Sequence, residues 1–163
     1  MADESVTVEQ VLALLGPAPA RIAALTDGLM PAHLRTRPAP DEWSTNDVLA
    51  HLRACADVWG DCIATILAED NPTIRAIDPR TWMTRTNYPD LEFRPSLEAY
   101  AAQRAALMAV LETLTPAAWA REATMRGAGK PIRRSVLGFA RRLAIHERPH
   151  LKQIGRVADA LRP

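Results

Sequence analysis

The chain has 163 residues and a formal net charge of +1, with 48% apolar, 24% charged and 5% aromatic residues. That is enough for one domain, 1–163, with a sizeable core. The charge is too balanced for a dedicated nucleic-acid or membrane surface, and no apolar run approaches the ~20 residues of a membrane span.

The start, Met-Ala-Asp-Glu-Ser-Val, carries no basic or apolar leader segment. Residues 7–29 read as a first helix, with Val8, Val11, Leu12, Leu15, Ile22, Leu25 and Leu29 as apolar positions. Gly16, Pro17 and Pro19 interrupt it, so the main part is expected from about Pro19 to Leu29. Residues 30–43 form a connection rich in Pro and Arg, and His33 within it reads as a solvent-facing histidine.

Ser44 gives the second helix the clearest start in the chain. Asp47 stands three residues later, as in a capping box, and Trp43 and Val48 are placed for a hydrophobic staple. The helix runs to about Ala68, with Val48, Leu52, Cys55, Trp59, Cys62 and Ile66 on its apolar face. His51 lies on the edge of that face. Cys55, one turn on, is either a small core residue or a soft metal ligand. Cys55 and Cys62 are about 10 Å apart on a straight helix, too far for a disulfide. A reducing cytoplasm is the compartment this implies.

Residues 70–95 hold four prolines and little periodicity, and read as a long structured crossover. Trp82, Met83 and Tyr88 cover either a pocket or the end of the helices. The third helix starts near Ser96, with Leu97, Tyr100, Leu107, Leu111 and Leu114 in its stripe. Arg104 falls inside that stripe, where an arginine must be paired or reach water. It is either a rim residue or an anion-binding group at a pocket. Thr115-Pro116 opens one further turn, and residues 121–133 read as a loop with a solvated basic run. Ser135 caps a fourth helix continuing to about Leu161. Four amphipathic helices with longer connections predict an all-α four-helix bundle with a long crossover between helices 2 and 3.

The fourth helix carries His146 and His150, four residues apart and so on one face. A heptad through Val136, Phe139, Leu143, Ile154 and Val157 puts both in consecutive core layers. Buried imidazoles need partners. A shared metal ion or hydrogen bonds at the helix surface both provide them. In a bundle, His51 can converge on this pair from the facing helix, and three neutral imidazoles plus a water form an open, catalytic type of metal site. Such a set suits Zn, Ni, Cu or Fe better than Mg or Ca. Glu147 and Gln153 are candidates to orient the imidazoles or to be plain surface residues.

Pro40-Asp41-Glu42-Trp43-Ser44, His51-Leu52 and His146-Glu147-Arg148-Pro149-His150-Leu151-Lys152-Gln153-Ile154 together resemble the DinB-like (YfiT-like) superfamily of metal-dependent enzymes, in order and spacing across the whole chain. The resemblance implies a bacterial, cytoplasmic protein with His51, His146 and His150 as ligands of a divalent transition metal, Zn or Ni. It implies an enzyme acting on a small molecule, as a thiol S-transferase using a low-molecular-weight thiol such as mycothiol or bacillithiol; Arg104, by its place in the third helix's stripe, is the candidate to bind the anionic part of that thiol. The alternatives are a hydrolase using metal-bound hydroxide and a non-catalytic binding protein. Relatives are often dimeric, so a homodimer is expected, with no nucleic-acid or membrane partner. Pro149 departs from helix rules, because it removes the backbone bond to Ile145 and its ring clashes with that carbonyl. A kink or π-type bulge is expected between Leu143 and Pro149, with both histidines still facing the interior.

Overall fold

Ser44 accepts a hydrogen bond from the Asp47 amide at 3.1 Å, and Asp47 accepts from the Ser44 amide at 3.0 Å. This reciprocal box starts α4, Thr45–Ala68, in the computed structural model, which describes residues 5–163. Residues 1–4, most of the segment read above for a leader, lie outside the described residues.

The first helix of the sequence reading is two helices, α1 (Val8–Leu15) and α2 (Ala18–Leu25). They break at Gly16-Pro17, because Pro17 cannot donate to the preceding turn. Val8–Leu25 is in fact apolar enough by length and composition to cross a membrane. Here its apolar side, Val11, Leu15, Ala18 and Ile22, is fully buried in the core. A short α3, Pro31–Arg35, lies in the connection that follows.

The crossover is more structured than the sequence indicates. It contains β1 (Thr73–Arg75), α5 (Pro79–Thr84) and a 3-10 turn at Tyr88–Asp90. Asp57 of α4 holds it down, accepting from Trp82 Nε1 at 3.0 Å and from the Tyr88 hydroxyl at 2.6 Å. The other oxygen of Asp57 accepts from Gln103 at 2.8 Å. Gln103 lies on α6, Phe93–Leu111, which begins three residues earlier than Ser96, since Pro95 in a first turn loses no helical bond.

After α7, Pro116–Trp119, the segment read as a loop is a hairpin of β2 (Glu122–Arg126) and β3 (Ile132–Ser135). β1 adds to β2 in parallel, giving a three-stranded sheet in the order β1-β2-β3. The all-α expectation is therefore corrected: the chain is mostly helical with one small sheet. Alternate residues of β2, Ala123 and Met125, are buried against the helices, which gives the strand its inward face. Gly129 in the hairpin loop has φ +126°, a conformation only glycine adopts without strain.

Ser135 caps α8, Val136–Leu161. α4 packs along α8, and the pair α1–α2 and α6 complete the helical layer around them. Two apolar clusters form. One gathers Cys55, Trp59, Phe139 and Leu143 with the sheet and α1. The other gathers Val48, Leu52, Leu151 and Ile154 with α2, α3 and the start of α6. The two meet near the middle of α4 and α8.

The core face of α8 runs through Leu143, Glu147, Leu151, Ile154 and Ala158, all buried. His146 and His150 stand beside it and are half-buried. They do not occupy the core layers that a strict heptad assigns, because a straight helix drifts relative to a 3.5-residue repeat. Nor is there a π-type bulge: α8 is one continuous helix through Pro149. Pro149 is exposed, so the backbone bond it cannot make lies on the solvent side of the helix.

Candidate metal centre

His51 enters from α4 and His146 and His150 from α8, at the seam between the two apolar clusters. His51 Nε2 lies 3.0 Å from His146 Nε2, which lies 3.2 Å from His150 Nε2. The structure thus brings the three expected ligands together across 95 residues of sequence.

Hydrogen bonding alone cannot satisfy this arrangement. An imidazole nitrogen carries one proton or one lone pair. His146 Nε2 therefore makes one good bond, not two. Gln153 Oε1 lies 2.9 Å from His150 Nδ1. That oxygen only accepts, so Nδ1 holds the proton and Nε2 of His150 keeps its lone pair. His51 Nδ1 is buried with no partner among the described residues, so its proton or lone pair is uncompensated in either tautomer. A cation shared by the Nε2 atoms accepts the lone pairs that such hydrogen bonding leaves over. Zn–N bonds of about 2.0–2.1 Å in a tetrahedron place ligand nitrogens about 3.3–3.4 Å apart, close to the separations found here.

Both inner histidines resist protonation. Burial, with His150 and His146 alongside, lowers His51 from 6.5 to about 4. Burial and His150 lower His146 to about 4. The two are neutral at ordinary pH, the form that ligates.

Two tryptophans wall the site. Trp43 lies 5.2 Å from His51, and the Trp59 ring meets His146 edge-on at 5.1 Å. Each tryptophan carries an arginine, Arg80 at 5.3 Å from Trp43 and Arg142 at 4.9 Å from Trp59. Both guanidiniums are exposed and neither forms an ion pair among the described residues. A cavity of about 390 Å³ shares the Trp59 and Arg142 walls and reaches Asp78 and Arg134. Larger hollows of about 710 and 540 Å³ lie along α6, away from the histidines.

Arg104 is elsewhere. It is 2% exposed and paired with Glu147 through Nη1 and Nη2. Nη1 also donates to the Leu15 carbonyl at 2.9 Å and Nη2 to the Tyr100 hydroxyl at 3.1 Å. Burial works against the charge, but the Glu147 carboxylate outweighs it and holds Arg104 above its usual range. The guanidinium that the sequence offered for a cosubstrate anion is thus committed inside the protein. Glu147 is likewise the partner of a buried cation, not of an imidazole. Cys55 lies 3.6 Å from His51 Nε2 and is 1% exposed.

Arg80, Arg142 and Trp59 were not singled out as site residues from sequence. Arg142 stands one turn before His146, a spacing that marks it as a neighbour of the site. Arg80 arrives on α5, and no local pattern indicates that.

Residues 14–154 match the sequence pattern of the DinB superfamily, a span that includes all three histidines. The chain belongs to the DinB superfamily. Among solved structures it is similar to YfiT from Bacillus subtilis, described as a probable metal-dependent hydrolase with an unusual four-helix bundle topology. The two share 18% identity at a TM-score of 0.80, over 96% of this chain and 90% of that one. At that identity the likeness establishes the fold of this DinB chain. No curated protein matches it.

Proposed function

We propose that this DinB chain is a metal-dependent enzyme in which His51, His146 and His150 hold a divalent transition ion, Zn or Ni. The observation that carries the proposal is the convergence of three imidazoles, with the Nε2 atoms of His51 and His150 lying 3.0 and 3.2 Å from that of His146. Its reaction is transfer of a low-molecular-weight thiol, of the mycothiol or bacillithiol type, to a small electrophile. A bound ion supplies Lewis acidity that favours the thiolate form of a ligating thiol. The chain's own contribution is selection and placement. Arg80 and Arg142 offer two exposed cations beside the histidines, suited to an anionic cosubstrate. Trp43 and Trp59 exclude water from the inner side of the site.

Hydrolysis is the second reading, and the similarity to YfiT is its reason. It needs a proton-handling group beside the metal. Glu147 is tied to Arg104, and Asp78, which bears on His51 electrostatically, caps α5 through Oδ1. That leaves Oδ2 of Asp78 for the task.

Metal analysis of protein purified without an affinity tag tests the centre. About one transition ion per chain is expected, and the triple change of the histidines to alanine removes it. Equal content in the triple variant overturns the proposal. Thiol consumption with candidate electrophiles then separates the readings, with Arg80→Ala and Arg142→Ala raising KM for the thiol in the transferase. The proposed assembly is a homodimer, and a monomer mass by light scattering at high micromolar concentration refutes that part.

A further inference from the structure

Cys55 and Cys62 are both buried on the same side of α4, two turns apart. Their surroundings differ. Cys55 Sγ, His51 and His146 offer ligand atoms that all lie within 4.8 Å of one another. No such group forms around Cys62 among the described residues. Cys55 sits one turn after His51 on the helix, so the two side chains project in one direction.

The separations are those of a nitrogen–sulfur ligand pair. With Zn–N of about 2.0–2.1 Å and Zn–S of about 2.3 Å, a tetrahedral site places nitrogen and sulfur about 3.6 Å apart. Cys55 Sγ and His51 Nε2 stand at 3.6 Å. The second edge, to His146, is within 4.8 Å, so closing it takes side-chain movement of about 1 Å.

We propose that Cys55 is a fourth protein ligand of the metal centre, approaching the His51–His146 edge from the core side. His150 Nε2 lies 3.2 Å from His146 Nε2, and its Nδ1 is held by Gln153. Coordination replaces the thiol S–H bond with a metal–sulfur bond, and the proton leaves to solvent. The donor set becomes three nitrogens and one sulfur, which favours Zn, Co or Cu over Mg, Ca or Mn, and the cosubstrate thiol of the proposed reaction then enters as a fifth ligand. This rests on the three-histidine reading above and adds the thiolate to it.

Cobalt(II) titration of the metal-free protein tests it by absorption spectroscopy. Cobalt held by a thiolate gives a near-ultraviolet charge-transfer band in addition to the visible ligand-field bands. Wild-type protein and Cys62→Ala are expected to show both. Cys55→Ser and Cys55→Ala should keep visible bands from the histidines and lose the charge-transfer band. Their cobalt affinity should fall by at least the 10–100-fold that loss of an outer partner costs. Visible bands without charge transfer in the wild type overturn the role of Cys55 and leave the histidine site standing. Charge transfer that persists in Cys55→Ser also overturns it. Absence of all bands in the wild type overturns both readings together.

Discussion

Gln153 Oε1 accepts from His150 Nδ1 at 2.9 Å, within one turn of α8. That bond fixes the tautomer in which His150 Nε2 faces the other two histidines with a lone pair. Removing it frees the ring to flip or to protonate at the wrong nitrogen. Gln153→Leu is therefore expected to weaken Zn affinity by about 10–100-fold, the usual cost of losing such a partner. Its effect on the metal-free fold should stay within about 1 kcal/mol, since Gln153 is only half-buried. Calorimetric Zn titration checks the first and chemical denaturation the second. Unchanged affinity would show that Gln153 does not orient His150.

Acidity acts on the centre in a definite direction. Burial holds His51 and His146 at about 4 in the folded chain, against 6.5 for a free imidazole. As pH falls through 6.5 the unfolded chain takes up protons that the folded chain refuses. Stability of the metal-free protein should thus be highest above about 6.5 and decline towards about 4, where the folded imidazoles protonate as well. Denaturant midpoints measured between pH about 7.5 and about 4.5 check this. A flat profile over that window contradicts the burial of the pair.

Glu147 is adjacent to His146 but faces the other way, into the pair with Arg104. Truncating one partner leaves a charge buried at 2% exposure with no counter-charge. Glu147→Ala should cost about 3–5 kcal/mol, and Arg104→Met combined with Glu147→Leu should recover much of it. Denaturation of the three variants checks the order. A Glu147→Ala loss below about 1 kcal/mol would mean that water reaches the site in the folded state.

Local chemistry was legible in the sequence. Ser44 with Asp47, and Ser135, mark helix starts because a cap acts within three residues. The i, i+4 spacing of His146 and His150 specifies a shared face, and the facing helix of a bundle added His51. What needed tertiary information was not legible. β1 is three residues long and pairs with β2 some fifty positions later, so no periodicity announces either the strand or its parallel register. Arg104 appears as a charge out of place in an apolar stripe, and Glu147 as a group to orient an imidazole or a plain surface residue. Only the packing of α6 beside α8 makes them one pair, and it removes Arg104 from the site that the sequence suggested. Arg80 shows the reverse case, an arginine with no pattern that the fold of α5 carries to Trp43.

Pro149 separates backbone geometry from ligand geometry. The helix is continuous through it, and His146 and His150 keep their Nε2 atoms 3.2 Å apart, as i, i+4 neighbours on a regular helix can. The proline therefore costs a backbone hydrogen bond without displacing a ligand. Its exposed position lets water recover part of that loss, so Pro149→Ala should stabilise the metal-free protein by about 1–3 kcal/mol, less than a buried interior proline would release. Metal affinity should change by less than about threefold, because the imidazoles already stand in register. Thermal melts of metal-free protein and calorimetric Zn titration of the variant check the two halves separately. A tenfold or larger change in affinity would show that the direction of His150 depends on the proline, and that α8 is held away from its relaxed course at the site.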